Sequence, residues 1–236
     1  ALFRGLLPML SRHQMPLPLG GTSNHFRTSI LRDVGGWDPF NVTEDADLGL
    51  RLYRLGYRSQ TLRCQTLEDA PVSLAIWTGQ RTRWFKGWLQ TWLVLMRQPL
   101  QLTRELGLRG PLMFHVMVTG MLVSALGHPL ILFFIGMTIW TLAATTYVTS
   151  FDMAIMVVDW FNVLAAYAVF IQLGWKPMGF NERVRVGVKW RHVPAYWMLM
   201  SLAAWKAAIE LRRKPYFWNK TPHKPSVRRA QNSTQR

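Results

Sequence analysis

Three carboxylates, Glu44, Asp45 and Asp47, stand where the loop Asn41-Val42-Thr43 runs into a segment whose Leu48, Leu52 and Leu55 recur at helical spacing. Thr43 has the hydroxyl of a helix N-cap, and Glu44 and Asp45 suit the positive end of the helix dipole, so a short helix is expected from 44 to 55. Gly56 then stops it. An acid in a first helical turn often does no more than complement that dipole. Here it is also carried by a rigid element at the edge of a domain, which suits a carboxylate that takes a proton. Further along, Gln80-Arg81-Thr82-Arg83-Trp84 places Gln80, Arg83 and Trp84 on one side of a helix, at i, i+3 and i+4. An indole stacks on the apolar face of a sugar ring, while amide and guanidinium groups donate to its hydroxyls.

The elements that must position these groups follow in chain order. Residues 1–16 read as an apolar helical piece whose beginning is missing, since the chain opens on Ala1. A short extended run then leads into Gly20-Gly21-Thr22-Ser23-Asn24, a small-residue turn that lets a polar ligand approach the backbone. Thr28 is expected to cap a helix over 29–34, and Gly35-Gly36-Trp37-Asp38-Pro39 to turn the chain into the acidic loop. Residues 57–62 have strand character. Glu68-Asp69-Ala70-Pro71 reads as the start of a helix running to about Arg97. With Trp77, Trp84, Trp88 and Trp92 beside Arg81, Arg83, Lys86 and Arg97, that helix has the mixture of a segment lying in a headgroup region.

Lys and Arg number 28 against 12 Asp and Glu, and half of the 236 residues are apolar. These properties separate along the chain: 110–175 holds no Lys or Arg, whereas 176–192 holds Lys176, Arg183, Arg185, Lys189 and Arg191. Such a pattern belongs to a membrane protein and argues against a soluble nucleic-acid binder. Residues 130–148 and 153–173 are each near the ~20 residues of a spanning helix. Residues 112–126 are read as an interfacial helix feeding the first span, with a third span as the alternative and 194–211 then crossing as a fourth. With two spans the basic loop and tail return to the cytoplasm. Residues 194–211 otherwise suit the interface, and the single cysteine, Cys64, is expected to be reduced and buried.

Thr43-Glu44-Asp45, then Gln80-x-x-Arg83-Trp84, with Gly21-Thr22-Ser23-Asn24 before them, resembles the second half of a membrane-bound family 2 glycosyltransferase of the cellulose, chitin and hyaluronan synthase type. The resemblance implies an α/β fold plus membrane α-helices: the second half of a GT-A-type catalytic domain in 1–70, the Gln-x-x-Arg-Trp helix in 71–109, membrane segments in 110–175, and a cytoplasmic basic loop and tail in 176–236. It implies that Asp45, flanked by Thr43 and Glu44, is the general base, and that Gln80, Arg83 and Trp84 bind the acceptor end of a glycan near the 21–24 turn. The partners it implies are a nucleotide-sugar donor, a polysaccharide or glycolipid acceptor and the inner-membrane bilayer, with transfer inverting the anomeric centre.

That family binds its donor and a divalent cation, Mg or Mn, through a first half that is absent from this sequence, so no metal is expected to bind here and the fragment is expected to be inactive alone. Asp45-Ala46-Asp47 has a metal-binding form but falls inside a helix. The stretch 215–224 resembles a gating loop of bacterial cellulose synthase, with Trp218, Thr221 and Lys224 as counterparts and Lys220 replacing an apolar residue. The competing function is a non-catalytic membrane subunit whose basic tail and Trp-rich helices bind anionic lipid or a partner protein.

Overall fold

The computed structural model describes residues 2–62, 64, 66, 70–71, 73–144 and 147–218. Thr221 and Lys224 of the gating-loop resemblance lie outside the described residues, as do Glu68 and Asp69 of the expected helix start. The described residues are helical, joined by turns and extended coil, with no strand among them. The strand expected over 57–62 is extended coil. Its alternation had no neighbouring strand to pair with, and pairing is what makes such a pattern a sheet.

The helix carrying the acids, α3, spans Glu44–Arg54, and its end is a Schellman motif. Gly56 adopts φ +88°, Gly56 N–H donates to Tyr53 O at 3.0 Å, and Tyr57 N–H donates to Leu52 O at 2.9 Å. Leu48 and Leu52 are buried with Val34, but Leu55 is 56 % exposed. The chain leaves the helix at Leu55, and Tyr57 packs on that cluster instead. Two caps also depart from expectation. Thr28 lies inside α2 (Thr28–Asp33) rather than before it, and no side chain caps α2. Thr43 does occupy the N-cap of α3, but its hydroxyl and N–H both turn to Asn41 Oδ1.

The long helix α4 spans Leu74–Leu95 and starts several residues later than its acids suggested, capped by Ser73 Oγ, which accepts from Ile76 N–H at 3.2 Å. It packs along α11 (Val193–Arg213), where Ser201, Ala203, Ala204 and Ala207 are fully buried. Small side chains let two backbones approach closely, and Phe85, Leu95, Leu102, Leu106, Phe114 and Leu122 complete the core around them. Beside it, α5 (Pro99–Leu106) returns to α3 through Arg54 Nε, 2.6 Å from Glu105 Oε2. This hydrogen bond from Arg54 holds the Glu105 carboxyl below the usual carboxylate range. The bridge therefore acts fully above that range and fades as pH falls through the lowered pKa. Glu105→Gln should cost about 1 kcal/mol at neutral pH. In detergent, its melting midpoint should rejoin that of the wild type in acid.

Gly110–Gly127 forms one apolar helical run, with a π turn at His115–Thr119 between α6 (Gly110–Phe114) and α7 (Gly120–Gly127). After α8 (Leu130–Ala144) comes α9 (Ser150–Trp175), which opens on a capping box between Thr149 and Asp152. By length and composition, Gly110–Gly127 and Ser150–Trp175 are long and apolar enough to cross a membrane, and Leu130–Ala144 is shorter. The run read as interfacial is thus the longer of the two apolar runs that precede α9. Cys64 is exposed, not buried.

Candidate functional site

The loop before α3 is laid along one face of α4. Arg83 Nη1 donates to Val42 O at 3.1 Å, Gln90 Nε2 donates to Phe40 O at 3.2 Å, and Gln90 Oε1 accepts from Val42 N–H at 3.2 Å. Asn41, fully enclosed, donates to Thr91 Oγ1 at 2.8 Å. Between these bonds lies Gly87, where any Cβ would run into the Thr43 side chain. Four positions of a single helix thereby fix the residues that lead into Asp45.

The 21–24 turn reaches the same place from the other side. Leu17–Leu19 crosses α3 over Gly49, where a Cβ would strike Leu17 O and Leu19 N. Asn24 donates to Gly20 O, Ser23 takes φ +57° and its Oγ lies 2.8 Å from Thr66 Oγ1. Gly21 then faces Asp45: a Cβ built on it would stand 3.3 Å from Asp45 Oδ2. Since Gly21 carries no side chain, that oxygen keeps an open approach.

Asp45 Oδ1 is already engaged. Trp37 Nε1–H donates to it at 2.9 Å, and the Trp37 ring is set edge-on to Phe26. The two carboxylate oxygens are therefore distinct, one held by an indole and one without a hydrogen-bond partner among the described residues. Arg83 adds positive charge nearby: burial lowers its pKa, and Glu44 and Asp45 oppose that shift. The i, i+3 and i+4 reading of Gln80, Arg83 and Trp84 separates here. Arg83 turns toward the Asp45 loop, while Trp84, 38 % exposed, carries the Arg81 guanidinium 4.1 Å from its ring centroid, and Gln80 stays half-buried.

A strap of chain after α11 completes the arrangement. Lys86, 1 % exposed, donates to Phe217 O at 2.5 Å and Lys214 O at 3.4 Å, with Glu210 Oε2 at 3.6 Å. Burial lowers its pKa, and Glu210 opposes the shift. Gln90 Nε2 also donates to Pro215 O at 3.1 Å, and Tyr216 meets the Phe40 ring. The strap sets Trp218 5.7 Å from the Arg83 guanidinium. Trp37, Lys86 and Gln90 did not emerge from the sequence as site residues. For the latter two a signal existed: Arg83, Lys86 and Gln90 recur at i, i+3 and i+7 on one face of α4.

The cation-binding form of Asp45-Ala46-Asp47 does not become a clasp, because Asp47 Oδ2 pairs with Arg51 at 2.5 Å while Asp45 faces Trp37. Among the described residues, no group of three or more His, Cys, Asp or Glu could hold a metal ion.

Residues 5–209 match the family model described as glycosyl transferase family group 2. Among curated proteins, the chain is 36% identical over 86 residues to the probable glycosyltransferase YdaM of Bacillus subtilis (strain 168), covering 36% of this chain and 20% of that protein. It is 35% identical over 71 residues to cellulose synthase 1 of Komagataeibacter xylinus, covering 30% of this chain and 5% of that protein. Cellulose synthase 1 of Novacetimonas hansenii gives the same figures. The chain thus spans a fifth or less of these relatives' lengths, and no solved structure matches it.

Proposed function

The chain belongs to glycosyl transferase family group 2, and from that premise we propose that it is the acceptor-side half of a membrane glycosyltransferase with Asp45 as its general base. The carrying observation is the division of labour on one carboxylate: Trp37 holds Oδ1, and Oδ2 faces the side-chain-free Gly21. An acceptor hydroxyl placed against Oδ2 gives up its proton there as its oxygen bonds to the anomeric carbon of a nucleotide-activated sugar. The bond from that carbon to the nucleoside diphosphate breaks, its electron pair leaves on the phosphate oxygen, and the centre inverts. Glu44 and Thr43 contribute placement: Glu44 opens α3, and Thr43 wedges the loop against Gly87.

Arg83, with the 21–24 turn, orients the reacting end of the acceptor, a growing polysaccharide or glycolipid, while Trp84 and Gln80, which face away from the Asp45 loop, would meet it further along. In this reading residues 1–70 are the second half of a GT-A-type catalytic domain, and the donor-binding residues and any divalent cation belong to an upstream half. Apolar Gly110–Gly127 and Ser150–Trp175 support a multi-pass placement in the inner membrane, with α4 and the strap at its cytoplasmic face.

Trp37→Phe tests the reading, because it keeps the ring and removes the donor to Oδ1. Loss of one hydrogen bond to a charged group should slow sugar transfer by the full-length protein about 10- to 100-fold. Added to Asp45→Asn, the same change should cost almost nothing more, since the charge it supports is gone. Equal losses in both backgrounds would mean that Trp37 acts elsewhere.

A further inference from the structure

Beyond sugar transfer, the C-terminal end of α9 carries a second candidate site. An open groove of about 580 Å³ runs where α9 meets the basic turn after it, lined by Ala168, Ile171, Gln172, Trp175 and Trp190. Lys176 and Arg183 line it as well. Arg183 Nη2 donates to Lys176 O at 3.5 Å, its guanidinium lies 5.8 Å from the Trp175 ring, and its Nε–H is buried without an acceptor.

Charge here is one-sided. Glu182, the one acid between 176 and 192 in the sequence, already accepts from Arg4 and from Gly179 N–H at 2.9 Å. The Gly179 bond, then Arg4, hold its carboxyl below the usual range, so it stays ionised and paired. Arg185, Lys189 and Arg191 add further exposed cations to the same basic turn. A groove lined by apolar side chains, two indoles and two cations, beside excess positive charge at the end of an apolar helix, matches a molecule with a hydrocarbon chain joined to an anionic head.

We propose that this groove seats an anionic phospholipid, one acyl chain along Ala168 and Ile171 and its phosphate between Lys176 and Arg183. The site rests on α9 as a bilayer span and is independent of Asp45. The occupant is a membrane lipid: a free anion would leave the apolar lining and both indoles unused.

The full-length protein is reconstituted in vesicles of equal phosphatidylglycerol and phosphatidylcholine, with brominated chains on one lipid or the other. The signal is the tryptophan quenching that disappears in Trp175→Phe/Trp190→Phe. Brominated phosphatidylglycerol should be enriched at the site about fivefold over brominated phosphatidylcholine. Lys176→Gln/Arg183→Gln should abolish that preference, and Lys176→Arg/Arg183→Lys should keep it, which separates lost charge from lost folding. Equal quenching by the two lipids, a preference that survives in the double Gln variant, or its removal by inorganic phosphate at matched ionic strength would overturn the proposal. Because no sugar donor is present, these results stand apart from the outcome at Asp45.

Discussion

Asp45→Asn should lower sugar transfer by the full-length protein about 10²- to 10⁴-fold, the usual contribution of a positioned general base. The change is nearly isosteric. The substituted amide would still accept the Trp37 indole N–H through its carbonyl oxygen, so α3 and its loop should stay in place, but the NH₂ group at the Oδ2 position cannot take a proton. Membrane insertion and abundance should match the wild type. The neighbouring carboxylate is the control: Asp47 pairs with Arg51, whose Nη1 also holds Val34 O and Gly36 O. Asp47→Asn should therefore cost stability and spare most transfer. A radiolabelled-sugar incorporation assay on membranes of both variants decides the matter, and full transfer by Asp45→Asn would end the general-base assignment.

The second large effect falls on a residue without a side chain. Gly87→Ala puts a methyl group where the Thr43 Oγ1, Cβ and Cγ2 atoms already lie. Overpacking of this kind costs about 1–3 kcal/mol. The loop must lift away from α4, and because it leads directly into α3, Asp45 moves with it. A misplacement near 1 Å at a reacting group costs about 10²-fold. Thr43→Gly removes the colliding atoms, so the double variant Gly87→Ala/Thr43→Gly should recover most of the lost stability and part of the rate. Melting midpoints in detergent and transfer rates of the two single variants and the double complete the cycle. An unaltered Gly87→Ala enzyme would show that the loop does not rest on this contact.

The helices that carry the candidate residues were legible because they are written locally. The acids before Leu48 and Leu52, the stop at Gly56, and the Gln-x-x-Arg-Trp helix each depend on neighbours within a few residues, and the helices follow them. What escaped depends on partners far along the chain. The Thr43 hydroxyl serves Asn41 rather than a helix N–H because Asn41 is itself pinned to Thr91, 50 residues away. Leu55 kept the helical period but lost its burial, since the Schellman turn brings Tyr57 onto the cluster instead. Residues 57–62 look like a strand, yet strand character is realised only against a neighbour. Trp37 sits in what reads as a plain Gly-Gly turn, and only the fold discloses that its indole reaches a carboxylate eight residues on. Composition marks both Gly110–Gly127 and Ser150–Trp175 as long and apolar enough to cross a membrane, but only the fold shows that the first is partly covered by protein while the second is not.

One amide on α4 ties two distant parts of the molecule together. Gln90 gives its two N–H bonds to Phe40 O and Pro215 O, one in the loop ahead of Asp45 and one in the strap. The strap and the acidic loop are thus geared to a common pin: peeling the chain end away tugs on the segment that aims Asp45. Whatever grips the residues beyond Trp218 would be felt at the carboxylate as a mechanical load, without any ligand having to touch it.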